Sequence, residues 1–248
     1  MNIGELWSIG YFFSETALRQ VLEEEAQLQP PIILGLLGAI LAFAVLIPYL
    51  LGSINSAVVI SRLLYHDDVR NHGSGNAGTT NMLRTYGKVA ALLTLLGDVL
   101  KTVLAVCIGS FTLSAAIGGW IAAFFCMIGH IFPIYYRFRG GKGVLCVATA
   151  VAMLSPFAFV CDLLAFIIIV SMTKYVSLGS IFGGLTLPLF VNVENKINPY
   201  GTVIEALVAI AMALLILWCH RANIQRIRDG KESKLSFKSK SKKDGEGK

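Results

Sequence analysis

The chain has 248 residues, 55% of them hydrophobic and 15% charged, with a formal net charge of +6, and its mean hydropathy is +0.69. Ordinary soluble domains carry about a quarter charged residues, so that class is excluded. Nucleic-acid binding is not implied either, because much of the positive excess lies in residues 231–248, a low-complexity run of Lys, Ser, Gly, Asp and Glu. Such a tail is expected to stay disordered and to meet anionic headgroups.

In chain order, residues 1–31 come first, carrying Glu5, Glu15, Glu23, Glu24 and Glu25 against Arg19. They lack a basic n-region before an apolar core, so a standard signal peptide is not expected; a short acidic helix over 18–28 is. A membrane crossing needs ~20 apolar residues for ~30 Å of hydrocarbon. Residues 32–51, 89–111, 113–135, 157–172 and 203–219 are candidate spans. Two shorter runs, 143–154 and 178–193, are read as spans as well, since neighbouring helices or a thinned bilayer can accommodate a short helix. Pro156 breaks the chain between two of these runs. The expectation is an all-α membrane protein with seven transmembrane helices over 32–234, preceded by the acidic extension and followed by a tail at 235–248. All five cysteines lie in or beside apolar runs without metal-type spacing, so they are read as small apolar fillers.

Charge orients the spans. Arg62, Arg70, Arg84 and Lys88 follow the first, Arg137, Arg139 and Lys142 follow the third, and Arg221, Arg226, Arg228, Lys231 and Lys234 follow the last. The intervening loops hold no basic residue or only Lys196. The positive-inside bias then sets the N-terminus outside and the C-terminus in the cytoplasm. Four polar clusters consequently share the cytoplasmic face: GSGNAGTTN at 73–81, GGKG at 140–143, Ser177-Leu178-Gly179-Ser180, and 220–234. Glycines let backbone N–H groups converge on an anion, and short polar side chains such as Ser74, Asn76 and Asn81 add donors.

Two familiar phosphate motifs fail. Gly73, Gly75 and Gly78 match G-x-G-x-x-G, but a dinucleotide fold needs a buried strand before the first glycine, and Tyr65 to Arg70 reads YHDDVR. In GGKG the first glycine of a P-loop is replaced by Tyr136 and its Ser/Thr by Gly143.

Taken together, YLLGS at 49–53, GSGNAGTTN with Arg84, GHIFP at 129–133 leading into GGKG, YVSLGS at 175–180, and His220-Arg221-Ala222-Asn223-Ile224 with Arg226, Gly230 and Glu232 resemble the bacterial PlsY family. Those are the acyl-phosphate:glycerol-3-phosphate acyltransferases, and the resemblance runs from about residue 49 to 234. It implies a seven-span enzyme of the bacterial inner membrane with its active site at the cytoplasmic face. The implied reaction moves a fatty acyl group from acyl phosphate to the 1-hydroxyl of sn-glycerol 3-phosphate, giving lysophosphatidic acid and phosphate, the first acylation of bacterial phospholipid synthesis. No metal or organic cofactor is expected, because the donor is already activated; membrane lipids are the expected surroundings and a monomer the expected state. Thr79, Thr102 and Gly179 depart from the family's usual residues.

The resemblance implies Ser74, Arg84, Lys142, Ser177, Ser180, His220 and Asn223 as active-site residues, with His220, Asn223 and Ser74 in catalysis. Arg84 and Lys142 are the natural phosphate cations, though Arg84 also suits a topology-setting surface charge. The three serines equally suit helix caps. Gly73, Gly75, Gly140, Gly141 and Gly143 shape the loops around phosphate, with Asn76 and Asn81. His220 and Asn223 fall on one face if the last span continues as a helix; the imidazole takes the hydroxyl proton, or the substrate phosphate does. Asp98 and Lys101, at i and i+3, form a fold clamp or a wall of the site, and Glu232 supports the site through a basic neighbour. His130 is read as structural. The rival reading is an organophosphate transporter, against which stand the absence of an internal repeat and the lack of basic partners for the mid-span acids Asp162 and Glu205.

Overall fold

The computed structural model describes residues 30–113, 117–198 and 201–235, with side chains from Leu34 onward. The expected helix at 18–28 and most of the Lys-rich tail lie outside these. Each apolar run is helical: α1 (Pro30–Ser53), α4 (Lys88–Thr112), α5 (Ile117–Ile131), α6 (Val144–Leu154), α7 (Pro156–Thr173), α8 (Val176–Ile197) and α9 (Val203–Cys219). Shorter polar helices lie between or after them, namely α2 (Ser56–Tyr65), α3 (Thr79–Tyr86) and α10 (Arg221–Arg228). Among the described residues five helices are long and apolar enough to cross a membrane, or six if α9 and α10 count as one bent span.

The run at 178–193 was expected to be short, but α8 extends to 22 residues. Ser177 and residues 192–196 are helical too, and their polar side chains have partners outside the helix: Ser177 Oγ donates to Glu232, Glu194 accepts from Ser155 Oγ, and Asn195 Nδ2 donates to the Thr202 carbonyl. Only α6, at 11 residues, stays well below span length. At ~1.5 Å per residue it reaches roughly 16 Å, and it packs against α4, α5 and α7 rather than standing alone.

Local chemistry explains the breaks. Asn55 caps α2, its side chain accepting from Val58 N, and His66 ends that helix in a left-handed conformation. Pro156 occupies the first turn of α7, where its missing N–H has no helical partner to lose. Lys174, at φ 64°, turns the chain between α7 and α8.

The bundle is built on close helix crossings. A Cβ at Gly52 would lie 2.1 Å from the Cys126 carbonyl oxygen, and one at Gly129 2.2 Å from that of Tyr49. α1 and α5 therefore meet backbone to backbone, the small-residue packing that membranes favour. Val106, Trp120, Met127, Val151, Leu187 and Met212 fill the middle of the bundle. A second apolar cluster, with Val58, Val69, Ala77, Met82 and Ala90, underlies the glycine-rich loop and α3.

Candidate active site

Residues from α3 to α10 and from the loops before α3 and α6 line one cavity of about 540 Å³. One end is polar. Ser74, Asn76, Arg84, Lys142, Ser177 and Asn223 all reach it, joined by Asn81, Ser180, His220 and Glu232. The other end is an apolar slot between α6, α7 and α8, walled by Val147, Val151, Phe159, Phe166 and Leu187. The four polar clusters of the sequence thus meet at the mouth of a greasy pocket.

The glycine-rich loop is held by its own asparagines. Asn81 is buried, with Nδ2 donating to the carbonyls of Val69 (3.1 Å) and His72 (3.0 Å) and Oδ1 accepting from Ser74 N (3.0 Å). Its polar atoms therefore organise the loop. Gly73 and Gly75 do not reach the cavity; they sit at φ 57° and 71°, in turns that favour glycine. Asn55, which the sequence did not single out, donates from Nδ2 to the Ala77 carbonyl (3.3 Å) and ties this loop to α2.

The GGKG loop is anchored to α5. Gly140 N donates to the Ile131 carbonyl (3.1 Å) and Gly141 N to that of His130 (3.0 Å). A Cβ at Gly141 would fall 2.0 Å from His130 Nε2 and 2.8 Å from the Ala77 carbonyl oxygen, so glycine is required for this loop to nest between the histidine and the glycine-rich loop. Gly140 and Gly141 act as a floor, and only Lys142 and Gly143 line the cavity. Arg70 links the two loops from outside. It pairs with Asp68 at 2.7 Å and donates from Nη1 to the carbonyls of Tyr136 (3.0 Å) and Arg139 (3.1 Å).

His130 is more than packing. It lines the cavity, and its Nδ1 lies 2.9 Å from Lys101 Nζ, accepting because an ammonium has no lone pair. Lys101 also pairs with Asp98 (2.8 Å) and donates to the carbonyls of Gly52 (3.1 Å) and Ile54 (2.8 Å). Ser56 Oγ donates to Asp98 (2.9 Å). Asp98 and Lys101 are therefore a fully partnered clamp across α1, α2, α4 and α5, and Asp98 also touches the cavity wall.

The last predicted cluster differs from expectation. His220 and Asn223 do not share one continuous helix: α9 stops at Cys219, and α10 leaves it at 52°. The bend turns both side chains into the cavity. His220 Nδ1 lies 2.8 Å from the Ile216 carbonyl and donates to it, which leaves Nε2 as the acceptor. Burial, reinforced by the nearby Lys142 charge, holds the His220 pKa down to about 4. Burial also lowers that of Lys142, to about 8, with Glu232 opposing and Arg226 adding to the shift.

Lys142 Nζ donates to Asn223 Oδ1, and Asn223 Nδ2 donates to Glu232 at 2.7 Å. Glu232 also accepts from Ser177 Oγ (2.7 Å) and Arg226 Nε (2.8 Å). Burial pushes the Glu232 carboxyl up, but the bonds from Ser177, Arg226 and Asn223 outweigh it and keep it below the usual carboxylate range. Arg84 reaches the same segment, its Nη2 3.4 Å from the Ser233 carbonyl. Ser177 and Ser180 are not helix caps, since Tyr175 occupies the N-cap of α8 and Ser180 Oγ bonds back to the Val176 carbonyl (3.0 Å). Among the described residues no group of three or more His, Cys, Asp or Glu side chains is placed to hold a metal ion.

Residues 42–230 match the family model described as glycerol-3-phosphate acyltransferase. The chain is 43% identical over 191 residues to a glycerol-3-phosphate acyltransferase of Syntrophomonas wolfei, covering 77% of this chain and 95% of the relative. It is 39% identical over 198 residues to the enzyme so named in Clostridioides difficile, covering 77% and 94%. Its fold is similar to the crystal structure of PlsY (YgiH), an integral membrane glycerol 3-phosphate acyltransferase, in its glycerol 3-phosphate form. The TM-score there is 0.70 at 34% identity, over 78% of this chain and 94% of that one. The lysophosphatidic acid form gives 0.67 at 32%.

Proposed function

The chain belongs to the glycerol-3-phosphate acyltransferase family, and on that footing we propose that it transfers a fatty acyl group from acyl phosphate to the 1-hydroxyl of sn-glycerol 3-phosphate, releasing phosphate and lysophosphatidic acid. The observation that carries this reading is the cavity's two-part lining, a cationic, hydrogen-bonding mouth opening into an apolar slot. A greasy donor and a water-soluble dianion need that combination. The acyl chain lies in the slot, while Arg84 and Lys142 hold phosphate oxygens by charge-assisted hydrogen bonds. Ser74, Ser177, Ser180 and Asn223 line the mouth around them, and Asn76 with the loop glycines shapes it.

In the reaction the 1-hydroxyl oxygen attacks the carbonyl carbon of acyl phosphate. The ester C–O bond forms, the bond to the phosphate oxygen breaks, and phosphate leaves with the electron pair. Neutral His220 Nε2 accepts a hydrogen bond from the hydroxyl and aims it. A dianionic acyl phosphate releases phosphate as a trianion, a far stronger base than an imidazole held near 4, so the hydroxyl proton ends on the departing phosphate. Glu232 bonds to Ser177 and Asn223 and sets the orientation of both.

The reading includes seven crossings over 32–234 with the N-terminus outside, the C-terminus and active site at the cytoplasmic face of a bacterial inner membrane, and a monomeric enzyme. The basic residues of the odd-numbered loops support that orientation. The test is direct. Purified protein in detergent, given acyl phosphate and glycerol 3-phosphate, should form lysophosphatidic acid and phosphate in equal amounts, and acyl-CoA should not replace the donor. Absence of product, or comparable turnover with acyl-CoA, overturns the reading.

A further inference from the structure

Asp162 stands apart from the polar mouth. It lies on α7 opposite Thr186 of α8, nine positions beyond Ser177, which is about 13 Å along the helix at ~1.5 Å per residue. It nevertheless lines the same cavity as Lys142 and His220, in a stretch otherwise bounded by Val151, Phe159, Leu163 and Leu187. Carboxyl groups at this depth in a membrane bundle are costly and are kept where they contact a partner or a ligand. Among the described residues Thr186 is its hydrogen-bond partner, with Oγ1 2.7 Å from Asp162 Oδ1. That hydroxyl also lies 2.9 Å from the Phe182 carbonyl, and it has one proton to give. A carboxyl has room for about four hydrogen bonds, and Thr186 takes up one, so capacity is left for a group in the cavity that Asp162 lines. Space is available as well, because Gly183, on the same wall, has nothing within 4 Å of where a Cβ would stand.

We propose that Asp162, with Thr186 behind it, forms a polar subsite deep in the acyl slot that recognises a hydroxyl group carried partway along the donor's fatty chain. A hydroxyl both donates and accepts, so it pairs with the carboxyl in either protonation state. It is also the simplest chain substituent that satisfies the group without a charge. An unsubstituted chain leaves the carboxyl with Thr186 alone, and the slot then discriminates by the hydrogen bond that is missing. The alternative is a helix-to-helix clamp between α7 and α8 with no bearing on the donor. This inference rests on the acyl phosphate reading, but it fails separately.

The experiment measures kcat/KM for acyl phosphates of one chain length, unsubstituted or hydroxylated at successive positions, with the intact protein in nanodiscs. The unmodified protein should show a peak at one mid-chain position. Asp162→Leu should lower the hydroxylated-to-unsubstituted ratio there by roughly tenfold, while using the unsubstituted donor at least as well. Thr186→Val, which frees the carboxyl, should keep the peak. A flat positional profile in the unmodified protein overturns the proposal without any variant, and so does an unchanged ratio in Asp162→Leu. A clamp alone would lower thermal stability in both variants and leave the ratios fixed. Failure to use the unsubstituted donor at all would instead count against the acyltransferase reading.

Discussion

Lys142 carries the sharpest consequence of its surroundings. Burial draws its pKa from 10.5 to about 8, so the ammonium is present below that pH and lost above it. The kcat/KM for glycerol 3-phosphate, which reports the free enzyme, should therefore fall as pH rises through about 8. At pH 7, Lys142→Ala should cost about 10- to 100-fold in kcat/KM, the worth of one or more charge-assisted hydrogen bonds. Steady-state phosphate release measures both, and a near-unmodified rate would refute the phosphate-holding role. His220 poses a different question, since its pKa near 4 makes it a poor base. A positioned general base contributes about 10²- to 10⁴-fold, so His220→Gln should lose less than about 100-fold. A collapse of kcat beyond 10³-fold with KM unchanged would restore the imidazole as the proton acceptor.

At the level of elements, the site is made by contacts between segments far apart in the chain. The GGKG loop sits against α5 through the His130 and Ile131 carbonyls, and the glycine-rich loop sits against α2 through Asn55. Gly141→Ala would thrust a Cβ to 2.0 Å from His130 Nε2. It should raise KM for glycerol 3-phosphate about tenfold or more with little change in melting temperature, because only the loop shifts. Gly52→Ala would instead strike the Cys126 carbonyl at 2.1 Å and separate α1 from α5. Overpacking of that kind costs about 1–3 kcal/mol, so detergent thermal unfolding should drop by several degrees while the surviving folded fraction keeps its KM. Equal effects of the two substitutions on KM would show that the loop and the helix crossing are not independent. The bend after α9 belongs to this scale too. Three-residue spacing places His220 and Asn223 together on a helix, yet it is the 52° break that turns them towards Lys142.

For the molecule as a whole, the proposed reaction calls for one orientation of all the polar clusters, because its acceptor, glycerol 3-phosphate, is cytosolic. Asn76→Cys in an otherwise cysteine-free protein should be labelled only by reagent admitted to the cytoplasm; labelling from outside intact cells would refute the seven-span orientation. Membrane character, the positions of the apolar helices and the four polar clusters that meet at the cavity were all legible in the chain. Apolar run length and basic-loop asymmetry are local properties, and burial in lipid acts on each helix separately. Even so, α8 outran its apolar segment, its added polar side chains finding partners outside the helix. The division of labour among the site residues was not legible. Asn81 and Gly141 build loops while Lys142 faces the cavity, and nothing in GSGNAGTTN or GGKG distinguishes those tasks. His130 read as structural, and Asp162 read as an isolated acid in a greasy span. Both line the cavity only because α5 and α7 are rotated by their packing against other helices. Sequence determined which segments leave water and which polar residue types cluster between them; the direction each side chain faces came from the helix crossings, which depend on contacts between residues tens of positions apart.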